Sequence, residues 1–153
     1  MEIEKITLLT KDEYKKYKCI IPLIKDLWWL RSPGSDNNRV CSVNYEGCVY
    51  SSGSDITHNI GVRPVLIIRL PLNDTRCFYK PEKLIGTSVK YGDYTWTVLK
   101  AEAGVLQVIC DQLIVNRRFD PRSNEWCVSE LKRWLEHECL HTFPTTINFE
   151  TRP

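Results

Sequence analysis

Three histidines and seven cysteines are the residues best able to ligate a metal or attack an electrophile. His137-Glu138-Cys139-Leu140-His141 sets two histidines four apart. On a helix that spacing puts both on one face, where they can share a zinc ion. No HExxH-type glutamate and no third ligand accompanies them, so the run reads as a solvated helix flank. Cys41, Cys48 and His58 form a looser set, spaced too irregularly for a compact zinc knuckle. His58 has no identifiable Ser or Cys nucleophile partner. The hydrolase elbow G-x-S-x-G, the P-loop and the dinucleotide motif G-x-G-x-x-G are absent. The expectation is a chain without catalytic residues, metal or cofactor.

Charge narrows the partners. Basic clusters stand at Lys15-Lys16-Lys18, Arg117-Arg118-Arg122 and Lys132-Arg133, each offset by nearby acids. They read as solvated faces, the Arg117–Arg122 loop being the best suited of them to an anionic partner. With 21 basic and 19 acidic residues the net charge is +2. That balance argues against a nucleic-acid binder. The start, MEIEKITLLTKDEY, is charged and has only a short apolar core. It matches neither a signal peptide nor a membrane span. The odd cysteine count and the lack of any CxxC pair suggest free thiols in a reducing, cytoplasmic compartment.

The elements that must position these residues follow from patterning. The chain is long enough for one domain, spanning 1–153. Thr10-Lys11-Asp12-Glu13 reads as a capping box, with Leu9 and Tyr14 as its hydrophobic staple, opening a helix over 11–18. Leu27–Leu30 reads as a strand, so Trp28 and Trp29 point to opposite faces. Pro33-Gly34 ends it. Residues 35–39 read as polar loop. Residues 40–50 form a hairpin turning at Asn44-Tyr45-Glu46-Gly47, where Gly47 takes a positive φ. Residues 51–59, polar and glycine-containing, read as exposed loop. Val65–Ile68 reads as a strand buried on both faces, with Pro64 tolerated at its start. Residues 71–86 are a connector. A second hairpin joins 94–99 to 105–110 around Gly104, with Tyr94, Trp96 and Val98 on one face. Arg117–Asn124 is a polar loop. Ser129 caps a helix running to about 142, with Val128, Leu131, Trp134, Leu135 and Cys139 as its apolar stripe. The class expected is α+β, with mixed, short antiparallel sheets and two helices.

Two stretches are more specific. WWLRSPG (28–34), followed by GVRPVLII (61–68), resembles an uncharacterised bacterial domain family with a C-type-lectin-like fold. Its distant relatives include formylglycine-generating-enzyme-like domains and phage receptor-binding tips. That family also carries runs of the types Y-x-W-x-V-L and W-x-x-S-x-L-[RK]-x-W-L. These resemble Tyr94–Leu99 and Trp126–Leu135 here, with the strand to Cys110 between them. The order differs, because in the family WWLRS and GVRP come last. The resemblance therefore implies a circular permutation: 1–70 as the family's C-terminal half, 71–86 as connector, 87–153 as its N-terminal half. The alternatives are a cut across two tandem domains, or a swapped dimer in place of a monomer.

A lectin-like scaffold presents ligands to its loops. The resemblance thus points to loops 35–39 and 50–59, and to Asp36, Asn37, Asn38, Arg39, Tyr50, Asp55, His58 and Asn59. Their mix of aromatic and adaptable polar groups is paratope-like. Trp28, Trp29, Arg31, Arg63, Trp96 and Trp134 are expected as scaffold. One tryptophan of the pair anchors each of two small cores, and the two arginines brace the loop region by hydrogen bonding carbonyls or a carboxylate. The calcium-lectin tripeptides E-P-N, Q-P-D and W-N-D are absent, so a protein ligand is favoured over a glycan. The expected function is a non-enzymatic binding module. An alternative is an inhibitor, encoded by a phage or mobile element, of a bacterial enzyme such as a defence nuclease. A formylglycine-generating activity would need a positioned cysteine pair. Only Cys41 and Cys48, facing each other across their hairpin, offer one.

Overall fold

A computed structural model of the chain describes residues 2–71, 81–144 and, for the backbone, 150–152. Most of the connector foreseen at 71–86, with Cys77, lies outside the described residues. The strands are β1 (Glu2–Thr7), β2 (Trp28–Pro33), β3 (Arg39–Val43), β4 (Val49–Asp55), β5 (Ile60–Val62), β6 (Val65–Arg69), β7 (Ser88–Tyr91), β8 (Tyr94–Glu102), β9 (Val105–Cys110), β10 (Val115–Arg117) and β11 (Glu150–Arg152). The helices are α1 (Lys11–Tyr17) and α2 (Glu130–Trp134). The class is α+β.

One sheet has the order β1-β6-β9-β8-β7-β11 and the other β10-β5-β2-β3-β4. Each takes strands from both sides of the connector. β6 pairs with β9 from Val65↔Ile109 to Arg69↔Val105, and β10 pairs with β5 from Val115↔Val62 to Arg117↔Ile60. The first sheet is antiparallel throughout. The second has one parallel contact, between β2 and β5.

Alternation divides the interior in two. Trp29, Leu66, Ile68, Trp96, Val98, Val108, Phe119, Leu131 and Leu135 belong to the larger core. Trp28, Leu30, Val65, Leu99 and Ile109 belong to a smaller one with Leu9 and Tyr14 of the α1 region. The apolar run of β6 follows from this in part: Leu66 and Ile68 face the larger core and Val65 the smaller one, while Ile67 is half-buried. In β8 a register shift between Val98 and Lys100 inserts one residue. Ala101, rather than Lys100, then returns to the larger core.

The helix ends are set locally. Thr10 Oγ1 accepts from the Glu13 N–H and Glu13 Oε1 from the Thr10 N–H, which closes the capping box. Ser129 Oγ accepts from the Lys132 N–H and caps α2. Beyond α2 the chain stays helical but widens to a π-turn over Leu135–Cys139, then narrows to a 3-10 turn over Leu140–Thr142. The wider turn keeps Cys139 in line with Leu131 and Leu135, all three buried. Val128, expected in that stripe, is instead exposed. It belongs to a separate 3-10 turn, Trp126–Val128, ahead of the cap.

The expected loop at 51–59 is corrected. Its first half is strand, because β4 runs to Asp55 and pairs with β3 at Arg39↔Asp55 and Val40↔Ser54. Gly53 makes that pairing possible. It sits at φ +90, and a Cβ there would lie 2.7 Å from the Val40 carbonyl oxygen. The register shifts between Val40 and Ser42, and Ser42 and Ser54 share a buried hydroxyl–hydroxyl bond of 2.8 Å. Only residues 56–59 turn, and Ile56 there is buried.

Candidate ligand-binding face

The end of the second sheet carries an open depression of about 700 Å³. Leu27, Gly53, Ser54 and Ile60 line it together with Arg39, Tyr50, Asp55, Thr57, His58 and Asn59. Five of the eight residues foreseen as ligand-binding therefore meet in one place. Three of those five, however, lie on regular structure. Arg39 is in β3, and Tyr50 and Asp55 are in β4. Asp36, Asn37 and Asn38 form the adjoining turn.

That turn is tied down. Asp36 Oδ1 accepts from the Asn38 N–H at 2.9 Å, and the Asn38 carbonyl accepts from the Ile56 N–H at 3.0 Å. Arg39 Nη1 donates to the Gly53 carbonyl at 2.9 Å, while its Nε lies 3.6 Å from Asp36 Oδ2. Asn124 reaches over from a distant loop and donates to the carbonyls of Asp36 and Arg39. Paired with Arg39 on the neighbouring strand, Asp55 uses its Oδ1 to accept from both the N–H and the hydroxyl of Thr57. The hydroxyl bond first, then the backbone bond, hold the Asp55 carboxyl below its ordinary value.

Asp120 anchors the loop that carries Asn124, a role the sequence reading missed. Its Oδ2 accepts from the N–H groups of Arg122 and Ser123, and its Oδ1 from that of Glu130. Burial is the largest influence and pushes its pKa up. The three N–H donors, with Arg118 nearby, outweigh burial and hold it below 3.8. A depressed carboxyl stabilises the fold above its unfolded value, and that contribution is lost as pH falls through the folded value. Asp120→Asn, which cannot serve all three donors, is expected to cost about 1–3 kcal/mol at neutral pH. In urea titrations the gap between native chain and variant should close on acidification below pH 4; a gap constant with pH would contradict this role.

Other expectations need correction. Arg31 and Arg63 do brace carbonyls, but away from the depression. Arg31 Nε donates to Leu8 O at 3.0 Å, and its Nη2 lies 3.5 Å from Glu13 Oε1. Arg63 is buried, donates to Cys110 O at 2.6 Å and Pro22 O at 2.9 Å, and lies 4.9 Å above the Trp28 ring. Burial pulls its pKa down to about 10, against the pull of Asp111. Trp96 is fully buried, whereas Trp134 is half-buried under the Arg117 guanidinium. Cys41 and Cys48 do not face each other. Cys41 is buried with its thiol on the Pro33 and Ser51 carbonyls, and Cys48 is exposed in the turn. Burial pushes the Cys110 and Cys139 thiols up to about 11 and about 12. His137 and His141 are exposed, and no group of three metal-binding side chains occurs among the described residues. No described helix is long and apolar enough to cross a membrane.

No curated protein and no solved structure matches the chain. Residues 5–70, which include both WWLRSPG and GVRPVLII, are similar to a domain of unknown function (DUF6273).

Proposed function

We propose that the chain is a non-enzymatic binding module that recognises a protein ligand through this depression and the Asp36–Asn38 turn. The observation that carries the reading is the rigidity of the face. Polar, exposed side chains are mounted on paired strands and on a turn fixed from three directions, which lowers the entropic cost of binding. The exposed Tyr50, which lines the depression with Arg39 and Asn59, and Asn38 of the adjoining turn supply the aromatic anchor and adaptable polar contacts of a protein-recognising surface.

The fold is read as a circularly permuted C-type-lectin-like unit. Support comes from the pairing of strands on both sides of the connector in each sheet, which a cut across two tandem domains does not require. A cytoplasmic setting is supported by the six described cysteines, all free thiols and three of them exposed.

The test is capture from bacterial lysate, with the native chain and an Asn38/Arg39/Tyr50 triple-alanine variant as baits, read by mass spectrometry. A partner held by the native chain alone is expected. A partner held equally by both would overturn the assignment of this face.

A further inference from the structure

We propose that the depression receives an arginine side chain of the partner, set between Tyr50 and the Asp55 carboxylate. This inference rests on the binding reading above and names the chemistry of its contact. Arg39, the depression's own cation, is already committed: Asp36 faces its Nε, and the Gly53 carbonyl takes its Nη1. Among the described residues Asp55 makes no close ion pair; Arg39, its cross-strand neighbour, and His58 act on its carboxylate only through longer-range attraction. Thr57 occupies its Oδ1 with two donors, and no described residue donates to its Oδ2. The outstanding charge of the depression is therefore negative, and it sits on a carboxylate whose orientation is fixed by Thr57. Tyr50, 46% exposed, offers a ring face on which a planar cation can stack. Leu27 and Ile60 supply apolar lining for the methylene stem of such a side chain. Guanidinium suits the pair better than ammonium, because it stacks and donates in its own plane at once. His58 also lines the depression, beside Thr57 and Asn59.

The experiment is an amide NMR titration at pH 8 with N-acetyl-arginine methylamide, and with its neutral isostere N-acetyl-citrulline methylamide. Saturable shifts are expected at Gly53, Thr57, His58 and Asn59, with the citrulline probe about tenfold weaker for want of the charge-assisted bond. Asp55→Asn should weaken the arginine probe about tenfold as well. If that variant fails to fold, Tyr50→Ala, at an exposed ring, should weaken it about threefold or more. No saturable shifts, equal response to both probes, or shifts centred elsewhere would overturn the proposal. Arginine binding here without any captured protein would sink the protein-ligand reading and leave the subsite standing. Captured protein without arginine binding would sink this inference alone.

Discussion

Trp29→Ala is expected to lower the free energy of unfolding by about 3–5 kcal/mol, and the melting temperature by roughly 10–15 °C. Trp29 is completely buried in the larger core and packs on Phe119 at 5.6 Å between ring centroids. Its Nε1 donates to the Arg117 carbonyl at 2.8 Å. Alanine thus opens a cavity and also strands a carbonyl at the end of β10. Trp29→Phe separates the two effects. It keeps most of the volume and loses the bond, so about 1–3 kcal/mol should go. Urea denaturation of the native chain and both variants checks the pair. Equal losses for the two would mean that the hydrogen bond, not the volume, is what matters, and a loss below about 1 kcal/mol for alanine would contradict the packing account.

Arg63→Met is expected to cost about 3 kcal/mol, the loss of two bonds from a charged donor, one to the Cys110 carbonyl in a buried setting and one to the Pro22 carbonyl in a partly buried one. Methionine matches the stem, so little of the loss comes from cavity formation. The effect should also be local. Residues 18–27, which include Pro22, contain neither helix nor strand, and the Pro22 carbonyl is one of the two that Arg63 holds. Trypsin should therefore cut after Lys18 or Lys25 well before the rest of the variant is digested. Arg63→Lys should not rescue it, because a single ammonium cannot reach both carbonyls and lie over Trp28. Protection of that segment unchanged in Arg63→Met would show that other contacts hold it.

Where local chemistry and tertiary packing agree, the sequence was readable. The Thr10 and Ser129 caps depend on residues three apart, and the Trp28/Trp29 division depends only on strand alternation. Ser51 to Asp55 misled for the opposite reason. Serine, glycine and aspartate favour turns by their own chemistry, but here pairing with β3 imposes a strand, and Gly53 absorbs the bulge. The depression was legible in part. Arg39, Tyr50, Asp55, His58 and Asn59 were found by type and exposure, while Leu27 and Ile60 were not, since an apolar lining has no polar mark. Asp120 had a mark that went unused. Asp120-Pro121 is a turn-initiating pair, and its carboxylate serves the backbone that follows. The π-turn has no such mark, because it follows from the need to align Cys139 with two leucines.

The pairing of β6 with β9 joins residues about forty apart along the chain, and it lies in the middle of the first sheet. Until β9 has been synthesised, β6 offers an open, apolar edge, and Leu66 and Ile68 lack half their neighbours. The first seventy residues can hold their hairpin and capped helix as they emerge, but not the larger core. Folding must wait for a long loop to close, which places this chain among slow folders. During that interval the exposed β6 edge is the part of the molecule most in need of a chaperone.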